Sequence, residues 1–397
     1  MTARIALFAP YLPAPAFSGG RIRIHRLAQG LAELGELVLF AQAGTAEARA
    51  ARGASELEPY RGCFVAKARP ALPGLFTASR AARGMPAALG RAFAREHAER
   101  PFALAVVEHS HAARYALGAG IPVLLDEHNV ESAYRRAAVD ARGGLVRAAL
   151  GRRDAALLAH WERRVWQAAD RVVCVTEDDA RAIAAVRGEP PAVVPNGVDT
   201  GKVPFVPPSS RTGSEILFVG LMDHPPNVRA AERLAREVMP RVWAARADAR
   251  LVLCGANPAR EVRALASERV LVTGRVPEVA PYLSRARAVC VPLAHGAGSS
   301  LKVLEALASG APLVASSTAV RGFRLEPGRH FLHAETPEAA AQSVLEALDD
   351  GARFDAMAAA GREIAEAHDW TRLAQRFAEL ARSLLGAAPR AALTSAR

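Results

Sequence analysis

Residues 290–322 read CVPLAHGAGSSLKVLEALASGAPLVASSTAVRG, and this stretch decides the fold. An apolar run, Ala288–Leu293, has the composition of a buried strand and is followed by a loop of small residues at 296–300. A helix-forming segment comes next, ends at Gly310, and gives way to a second apolar run, Leu313–Ala315. Strand, glycine loop, helix and strand together predict a βαβ unit, and the N-terminus of its helix can bind a phosphate group.

The predicted helix carries a lysine in its first turn. Lys302 lies three residues before Glu305, so the two side chains share one face of the helix. An ammonium group suits a contact with phosphate, while a carboxylate can accept hydrogen bonds from ribose hydroxyls. The alternative is an ordinary surface Lys–Glu pair. Lysine is scarce in this arginine-rich chain, which favours nucleotide binding; the three lysines are Lys67, Lys202 and Lys302. The loop is not a Walker A loop, because the Gly-Lys-Ser/Thr ending is missing.

Length and composition predict a two-domain protein of a reducing compartment. The chain of 397 residues is long for a single core, and 51% of it is hydrophobic. The isolated cysteines predict buried reduced thiols, no structural zinc and a cytoplasmic location; they are Cys63, Cys174, Cys254 and Cys290. No apolar run reaches the roughly 18 residues of a membrane span. The N-terminal strand Arg4–Pro10 runs straight into a loop, so we expect no signal peptide.

The net charge is +11, and much of the excess falls on arginines between Arg80 and Arg164. Such a charge suits nucleic acid, an anionic membrane surface or an anionic small substrate. Aromatic residues make up only 6% of the chain and form no base-stacking module, so we expect no nucleic-acid partner. Helices that combine arginines with apolar side chains could make a peripheral contact with the inner face of the cell membrane. The alternative is a set of ordinary solvated faces.

Short apolar runs alternate with helical stretches along the whole chain. This alternation predicts an α/β protein with two Rossmann-like, doubly wound parallel sheets. The predicted strands of the first half are Ile5–Ala9, Leu37–Ala41, Leu104–Val107, Val123–Leu125 and Val172–Val175. Those of the second half are Ile216–Val219, Leu251–Cys254, Val270–Thr273, Ala288–Val291 and Leu313–Ala315. A basic helical stretch is predicted from Ser132 to Ala168.

A stretch rich in proline, serine and glycine at 201–214 is the predicted linker. We therefore expect an N-terminal domain over 1–200 and a C-terminal domain over 215–370. A final helix over 371–385 is expected to pack back across the domains. Residues 386–397 are small, apolar and basic, and we expect them to be a disordered tail.

Several short motifs, in this order along the chain, resemble one enzyme family. They are Pro195–Asp199, Phe218–Gly220, Val272–Val276 and the loop and helix over 296–305. With the two Rossmann-like halves, they resemble retaining glycosyltransferases of the GT-B fold, in particular the class called glycosyl transferases group 1. The resemblance implies two domains facing across a cleft. A nucleotide-diphosphate sugar, UDP- or GDP-linked, would bind the C-terminal domain, and a glycan or lipid-linked acceptor would bind the N-terminal domain.

The resemblance also implies roles for residues of this chain. The donor-binding residues would be Gly220, Arg275, Val276, Gly298, Ser299, Ser300, Leu301, Lys302 and Glu305. Among them, Glu305 would contact the donor ribose, and the amides of 298–300 would hold the diphosphate. The glycine loop that faces the diphosphate and the acceptor would comprise Gly19, Gly20 and Arg21.

The chain departs from the family at two places. The family usually carries a second glutamate eight residues before the ribose-binding one, and that position is Ala297 here. The family also usually has an arginine after the first strand of the C-terminal domain, where this chain has Met222. The diphosphate therefore needs another cation, and Lys302 is the expected substitute. Further candidates are Arg229 and Arg21.

Glycosyl transfer with retention needs positive charge and N–H donors around the leaving diphosphate. Lys302 and the amides of the glycine loop would supply both. The acceptor's proton can pass to the departing phosphate, so a strong protein base is not obligatory. The sequence has no Asp-x-Asp pair, and we expect no metal and no cofactor besides the sugar donor.

Polar residues follow two strands that should be neighbours in the first domain. One cluster is Glu108–His111, and the other is Asp126–Asn129. Open α/β sheets bind ligands at the carboxyl ends of their strands, so these residues are candidates for holding the acceptor. The family often has a functional histidine in the first loop, and both His109 and His111 fit. His128 and Asn129 are the candidates in the second loop, and the alternative for each is a capping or solvated role.

Three functions remain open at this point. The first is a glycosyltransferase of cell-surface polysaccharide or glycolipid synthesis. The second is a nucleotide-sugar epimerase of the same fold, for which Asp126 and Glu127 could serve as acid and base. The third is a non-catalytic relative that acts as a partner protein, which Ala297 and the missing arginine would explain.

Overall fold

The structure is a computed structural model that describes residues 3–44, 58–67, 84–140, 145–295 and 299–390. The chain forms two compact units. The first comprises Met1–Pro195 and Leu373–Arg397, and the second comprises Asn196–Arg372. The chain thus leaves the first unit after Pro195, before the predicted linker, and returns to it within the last helix.

The first unit contains a parallel sheet of seven strands in the order β3-β2-β1-β4-β5-β6-β7. Its strands are β1 (Ala3–Ala9), β2 (Gly35–Gln42), β3 (Gly62–Ala66), β4 (Leu104–Glu108), β5 (Val123–Glu127), β6 (Arg171–Cys174) and β7 (Ala192–Val193). Its helices are α1 (Gly19–Ala32), α2 (Ala87–Glu99), α3 (Glu131–Asp140), α4 (Leu145–Ala168) and α5 (Glu177–Arg187), with a 3₁₀ turn at Ser110–Tyr115.

The second unit contains a parallel sheet of six strands in the order β10-β9-β8-β11-β12-β13. Its strands are β8 (Glu215–Val219), β9 (Arg250–Cys254), β10 (Val270–Gly274), β11 (Ala288–Val291), β12 (Leu313–Ala315) and β13 (Leu332–His333). Its helices are α6 (Pro225–Arg233), α7 (Met239–Ala245), α8 (Arg260–Arg263), α9 (Ala280–Arg285), α10 (Leu301–Ser309), α11 (Ser317–Val320), α12 (Pro337–Asp349) and α13 (Asp355–Ala367). The last helix, α14 (Trp370–Arg382), begins here and continues into the first unit.

The two parallel sheets confirm the predicted fold class. The central strands are apolar on both faces because helices cover both faces of a doubly wound sheet. Strand β1 is buried from Arg4 to Ala9, and β11 is buried over its whole length. All ten predicted strands are present, and the described residues add three short ones, β3, β7 and β13, at or near the sheet edges.

Two predictions need correction. The basic helical stretch from Ser132 to Ala168 is two helices, α3 and α4, and residues 141–144 between them lie outside the described residues. The cysteines were expected to be buried, but Cys63 is exposed, since it lies on the edge strand β3. The other three cysteines are buried.

The predicted linker at 201–214 lies within the second unit, where an arginine fixes it. The buried Arg211 guanidinium donates to the carbonyl oxygens of Val206, Leu283, Ala286 and Ser309. These carbonyls include helix C-terminal groups, which lack partners within their own helices. In the predicted tail, residues up to 390 are described, and Arg390 contacts Asp170 and Glu189; residues 391–397 lie outside the described part.

The strand order reverses at one place in each sheet. In the first unit the reversal lies between β1 and β4, and in the second it lies between β8 and β11. Ligands of open α/β sheets bind at the carboxyl ends of strands beside such a reversal, because the connecting loops diverge there and leave a crevice. Among the described helices, none is both long and apolar enough to cross a membrane.

Candidate functional site

The predicted site residues gather at these two reversals of strand order, the switch points of the sheets. One group lies in each unit. In the second unit, β11 leads into α10, and Ser300 is the N-cap residue of that helix. The Val303 amide donates to the Ser300 carbonyl at 3.0 Å. The amides that precede Val303 have no acceptor within the helix, and together with the helix dipole they favour an anion. Gly298 and Ala297 lie outside the described residues.

Lys302 lies in the first turn of α10 and is held by uncharged groups. Its Nζ donates to Asn227 Oδ1 at 3.2 Å and to Ser300 Oγ at 3.4 Å. The same atom lies 5.6 Å from the centroid of the Phe218 ring. No carboxylate of the described residues forms an ion pair with Lys302. The nearby Glu305 carboxylate attracts this charge without forming an ion pair, so the ammonium remains available to an anion that is not part of the chain.

Burial shifts the pKa of both polar side chains on this face of α10. It lowers the pKa of Lys302 to about 8, and the nearby Glu305 carboxylate opposes that effect. Burial also raises the pKa of Glu305, and the Lys302 charge opposes the rise. Both side chains are half-buried. A bound phosphate would favour the ammonium form of Lys302, because an opposite charge stabilises the charged state.

Two asparagines hold the residues around this helix terminus. Asn196 Nδ2 donates to the Ser299 carbonyl at 3.1 Å, which fixes the end of the loop before α10. Asn227 Nδ2 donates to the Leu221 carbonyl at 2.9 Å. A Cβ atom at Gly220 would lie 2.7 Å from Asn227 Nδ2, so a side chain at that position would displace the asparagine.

The other predicted donor residues lie further from Lys302 in the sequence. Gly274 ends β10 with a φ of 67°, a backbone conformation that favours glycine. Arg275, which follows it, is exposed, and Val276 packs against the core of the unit. Leu301 is half-buried at the first position of α10. The predicted contact of these residues with a nucleobase or phosphate stays a prediction.

The missing family arginine has a structural explanation. Met222 is fully buried, and its amide donates to the Ala256 carbonyl at 2.8 Å. A side chain at that position enters the core and is unsuited to bind phosphate. Arg229, one of the suggested substitutes, is exposed on α6. Lys302 is the cation that the fold holds beside the helix N-terminus.

In the first unit, a buried ion pair lies beneath the switch point. The Arg23 guanidinium donates to both oxygens of Asp126, at 2.8 Å and 2.6 Å. Their side chains are 1% and 0% exposed, so both charges depend on each other. Burial would raise the pKa of Asp126, but the charge of Arg23 holds it well below its usual range. Arg23 also donates to the Pro195 carbonyl at 3.1 Å.

His128 lies above this pair and bridges two carboxylates. Its Nε2 is 2.8 Å from Glu108 Oε2 and 3.5 Å from Asp126 Oδ2. Burial would lower the pKa of His128, but these carboxylates raise it to about 9. Burial and the charge of Asp126 raise the pKa of Glu108 to about 7. At neutral pH His128 therefore carries a positive charge.

His109 lies between two other imidazoles, stacked on His111 and tilted against His128. Its ring centroid lies 4.0 Å from that of His128 and 5.1 Å from that of His111. His109 has a φ of 66°, in the sparsely populated left-handed region for a non-glycine residue, and it follows directly after β4. Its Nδ1 lies 3.9 Å from Glu127 Oε2. The structure thus brings both candidate histidines together, and their roles stay predictions.

Glu127 lies at the centre of the contacts behind His109. Its Oε1 accepts hydrogen bonds from Trp166 Nε1 at 2.9 Å and from the Ser110 amide at 3.2 Å. Burial and the nearby Glu162 raise the pKa of Glu127 to about 8. Through its hydrogen bond from the Ser110 amide, Glu127 supports the loop that carries His109.

The glycine loop of the first unit is tightly packed. A Cβ atom at Gly20 would lie 2.0 Å from the Tyr11 hydroxyl oxygen, so a side chain there would have to displace Tyr11. Gly19 is the first residue of α1. Arg21, proposed as a spare cation, donates to the Leu12 carbonyl at 2.7 Å and lies over the Phe17 ring. Asn129 donates to Glu131 Oε2 at 3.3 Å.

One group of side chains could in principle converge on a metal ion. Glu108, Asp126 and His128 have ligand atoms within 4.8 Å of one another. Arg23, however, already donates to both Asp126 oxygens, and His128 donates to the carboxylates. A metal would have to displace these charge-assisted hydrogen bonds. The donor set therefore fits an internal ion-pair network better than a resident metal.

Sequence reasoning missed three residues of these groups. Asn196 lies in the motif Pro195–Asp199, but the motif did not indicate its contact with Ser299. Asn227 and Arg23 are isolated polar residues whose partners are distant in the sequence. The only available hint for Asn227 was its place in the first turn of a helix that follows a central strand.

Comparison with known proteins supplies independent information. Residues 17–202 match the family model Glycosyltransferase Family 4, and residues 213–350 match Glycosyl transferases group 1. Among curated relatives, a phosphatidyl-myo-inositol mannosyltransferase of Mycobacterium leprae (strain TN) is 26% identical over 46% of this chain and 51% of its own. A D-inositol 3-phosphate glycosyltransferase of Kineococcus radiotolerans is 32% identical over 56% of this chain and 59% of its own. The chain thus spans little more than half the length of these relatives.

Solved structures with the same fold cover almost the whole chain. A sucrose-phosphate synthase from Thermosynechococcus elongatus superposes with a TM-score of 0.69 at 19% identity, over 97% of this chain and 99% of its own. Anabaena Alr3699/HepE, solved in complex with UDP and glucose, superposes with a TM-score of 0.66 at 14% identity, over 96% of this chain and 100% of its own. At these identities the likeness concerns the fold.

Proposed function

The chain belongs to the glycosyltransferases of family 4 and group 1 with the GT-B fold, and we propose that it transfers a sugar from a nucleotide-diphosphate donor to a glycan or lipid-linked acceptor. The proposed reaction proceeds with retention and without a metal ion. The proposed pathway is the synthesis of a cell-surface polysaccharide or glycolipid. The activities of the curated relatives, which include a phosphatidyl-myo-inositol mannosyltransferase, support such an acceptor.

One observation carries the proposal. Lys302 stands at the N-terminus of α10, and its Nζ donates only to neutral oxygens among the described residues. An unneutralised ammonium beside the free amides of a helix is a site for a polyanion such as a diphosphate. The UDP bound in a structure of the same fold supports a UDP-sugar as donor, with a GDP-sugar as the other candidate.

The residues of the second unit would act on the leaving group. Negative charge builds up on the diphosphate as the bond to the sugar breaks, and Lys302 with the α10 amides would stabilise it there. Glu305, on the same helix face, would accept hydrogen bonds from the ribose hydroxyls. The acceptor's proton would pass to an oxygen of the departing phosphate, which makes a strong protein base unnecessary.

The residues of the first unit would position the acceptor. His109 and His111 lie at the switch point of that sheet, and the packing of His109 against His128 limits its rotation. A fixed imidazole can hold a sugar hydroxyl in a reactive orientation. Because Asp126 is bound by Arg23 and Glu127 by Trp166, neither is placed as the acid–base pair of an epimerase. Transfer is the better-supported activity.

The proposal is tested with a panel of UDP-, GDP- and ADP-sugars. We expect one nucleotide series to bind at micromolar concentration, measured by isothermal titration, and to be hydrolysed slowly without acceptor. NMR of the released sugar should show the same anomer as the donor, as retention requires. A second measurement uses Glu305→Gln. This variant should bind the nucleotide sugar about tenfold more weakly, because hydrogen bonds to the ribose hydroxyls are lost.

The matched control is Glu346→Gln, on the helix α12 and half-exposed, which should leave donor binding unchanged. If no donor of the panel binds, the chain is a non-catalytic relative. If the released sugar is inverted, the retaining mechanism is wrong.

We also propose that the protein is cytoplasmic and that its first unit makes a peripheral contact with an anionic membrane. The exposed face of α4 carries Arg152, Arg153 and Arg163, and Leu150 beside them is 62% exposed. Arginines flanking an exposed leucine suit a surface of acidic lipid headgroups, each cation contributing about 1 kcal/mol.

A vesicle experiment measures this contact. The full chain should sediment with vesicles containing phosphatidylglycerol and remain in the supernatant with pure phosphatidylcholine. Arg152→Glu with Arg153→Glu should reduce the partition coefficient at least about 30-fold, since about 1 kcal/mol is lost for each cation. Arg260→Glu with Arg263→Glu, an equal charge change on the exposed side of α8, is the control and should bind like the unmodified protein. Equal losses in both variants would exclude α4 as the contact surface.

A further inference from the structure

Asn227 is a buried amide at the third position of α6, and both ends of its side chain are engaged. Its exposed fraction is 6%. Nδ2 donates to the Leu221 carbonyl at 2.9 Å, and Oδ1 accepts from Lys302 Nζ at 3.2 Å. A carbonyl can only accept and an ammonium can only donate, so these two partners fix which end of the amide faces Lys302.

The position of this amide is held by the fold. α6 begins at Pro225 and Pro226, which favour the first turn of a helix. The backbone N–H of Asn227 donates to the His224 carbonyl at 2.9 Å and closes that turn. Gly220 at the end of β8 leaves the space that the side chain occupies. Asn227 therefore reaches the lysine from a rigid element on the far side of the switch point.

A comparison with Arg23, a buried cation of the first unit, shows why the amide matters. Arg23 is matched by the carboxylate of Asp126, and their charges cancel within the protein. Lys302 is matched by an amide and a hydroxyl, which orient the ammonium without pairing it with a carboxylate, and Glu305 acts on it only from a longer distance. The first arrangement suits a structural cation, whereas the second suits a cation that meets an external anion.

We propose that Asn227 is the positioning residue of the donor site, which holds the Lys302 ammonium in place for the diphosphate without neutralising it. This inference rests on the proposed function, since it assigns a partner to the cation of that site. A carboxylate at the same place would hold the lysine as firmly but would repel the diphosphate. An aliphatic residue would leave the charge but release the ammonium.

The test measures the titration of Lys302 before any donor is added. The chain has only three lysines, so a protein labelled with ¹³C at lysine Cε should give three signals, and Lys302→Met identifies the one of interest. The titratable groups that interact with Lys302 here are Glu305, on its own helix, and His224, the residue before α6, which Asp223 also influences. These three residues are unchanged in the variants, so a shift of the Lys302 titration reports the substitution at Asn227.

Two variants of Asn227 should move this titration in opposite directions. Asn227→Ala removes an acceptor of the ammonium and should lower the midpoint. Asn227→Asp adds a negative charge and should raise it. Gln342→Glu, which adds the same charge on the exposed helix α12, should leave it unchanged. Thermal melting of each variant checks that the fold is retained. If one variant does not fold, the direction of the shift in the other still tests the inference.

Affinity for UDP and GDP is then measured from pH 7 to pH 9.5. We expect about tenfold weaker binding for Asn227→Ala and about 100-fold weaker binding for Asn227→Asp at pH 7. The loss of affinity at alkaline pH should move to lower pH in the first variant and to higher pH in the second. A merely structural asparagine would not produce opposite shifts.

The possible failures are distinguishable. If Lys302→Met abolishes UDP and GDP binding but the Asn227 variants change neither titration nor affinity, the inference about Asn227 is wrong and the proposed donor site stands. If the Asn227 variants shift the lysine signal but Lys302→Met binds both nucleotides normally, the proposed donor site is wrong. That second result also overturns the role of Asn227 in donor binding.

Discussion

Replacing Lys302 with methionine should weaken binding of UDP or GDP by at least about 100-fold at pH 7. The substitution keeps the length of the side chain and removes the ammonium, so the diphosphate loses a charge-assisted contact in a partly dehydrated place, a loss of about 3 kcal/mol. In the transition state the leaving diphosphate carries more charge, and the rate of sugar transfer should fall further. Isothermal titration and a nucleotide-release assay measure the two effects.

The pH dependence of the unmodified protein gives a second readout of the same group. The pKa of Lys302 is lowered to about 8, and a bound phosphate raises it, so binding takes up a proton near that pH. Affinity should therefore be constant between pH 7 and about pH 8 and fall by up to tenfold for each further pH unit. In Lys302→Met this fall should be absent.

The control for both measurements is Lys202→Met. Lys202 is exposed and lies in the second unit, so the same chemical change is made away from the α10 terminus. Its affinity and pH profile should match those of the unmodified protein. Binding of Lys302→Met within threefold of normal would show that the diphosphate does not lie on this lysine.

Replacing Asp126 with asparagine should destabilise the first unit by about 4 kcal/mol. The change leaves the Arg23 charge buried with 1% of its side chain exposed, and an unmatched buried charge typically costs about 3–5 kcal/mol. For a unit of this size the midpoint of thermal unfolding should fall by about 10 °C. Circular dichroism melting of the full chain measures the shift.

The pH range of this effect follows from the direction of the Asp126 shift. Because its pKa is held below the usual range, the pair stabilises the fold above the unfolded-state pKa of about 4. The stabilisation is lost as the pH falls through the lower, folded-state pKa. The difference between the unmodified protein and the variant should therefore be fully present from pH 6 to pH 8.

Two further variants show whether the lower melting midpoint comes from the unmatched buried charge or from the loss of a carboxylate as such. Arg181 and Asp178 form an exposed pair on α5, so Asp178→Asn should change the melting midpoint very little. Arg23→Met combined with Asp126→Asn removes both charges and should melt higher than Asp126→Asn alone. A double variant that melts lower than the single one would mean that Arg23 stabilises the unit through its contact with the Pro195 carbonyl or through packing.

Local sequence patterns were sufficient for the sheets. The ten predicted strands are apolar runs whose residues are buried on both faces. Such a run can be recognised in the sequence without knowledge of its neighbours in the sheet. β7 and β13 escaped prediction because two residues cannot display a period, and β3 because an edge strand is only partly buried. The single helix predicted from Ser132 to Ala168 passed over Gly143 and Gly144, two poor helix formers that lie between α3 and α4.

The site residues that could be predicted are those that lie close together along the chain. Lys302 and Glu305 are three residues apart on one helix, and the polar residues after β4 and β5 follow directly from the ends of those strands. Such residues can be recognised because their spacing along the chain sets their spacing in the fold. His109 could not be separated from His111 in this way, since only the backbone turn after β4 makes His109 the central ring.

The sequence by itself determined the two doubly wound sheets, the helix N-terminus that can bind a phosphate, and the cation placed on it. The tertiary structure decided how the charges are matched: Arg23 with Asp126, 103 residues apart, and Lys302 with Asn227, 75 residues apart. The physical reason is that secondary structure follows from local periodicity, whereas the state of a buried charge depends on partners supplied by distant strands and helices. One cation is thereby neutralised within the protein, and the other is left to meet a ligand.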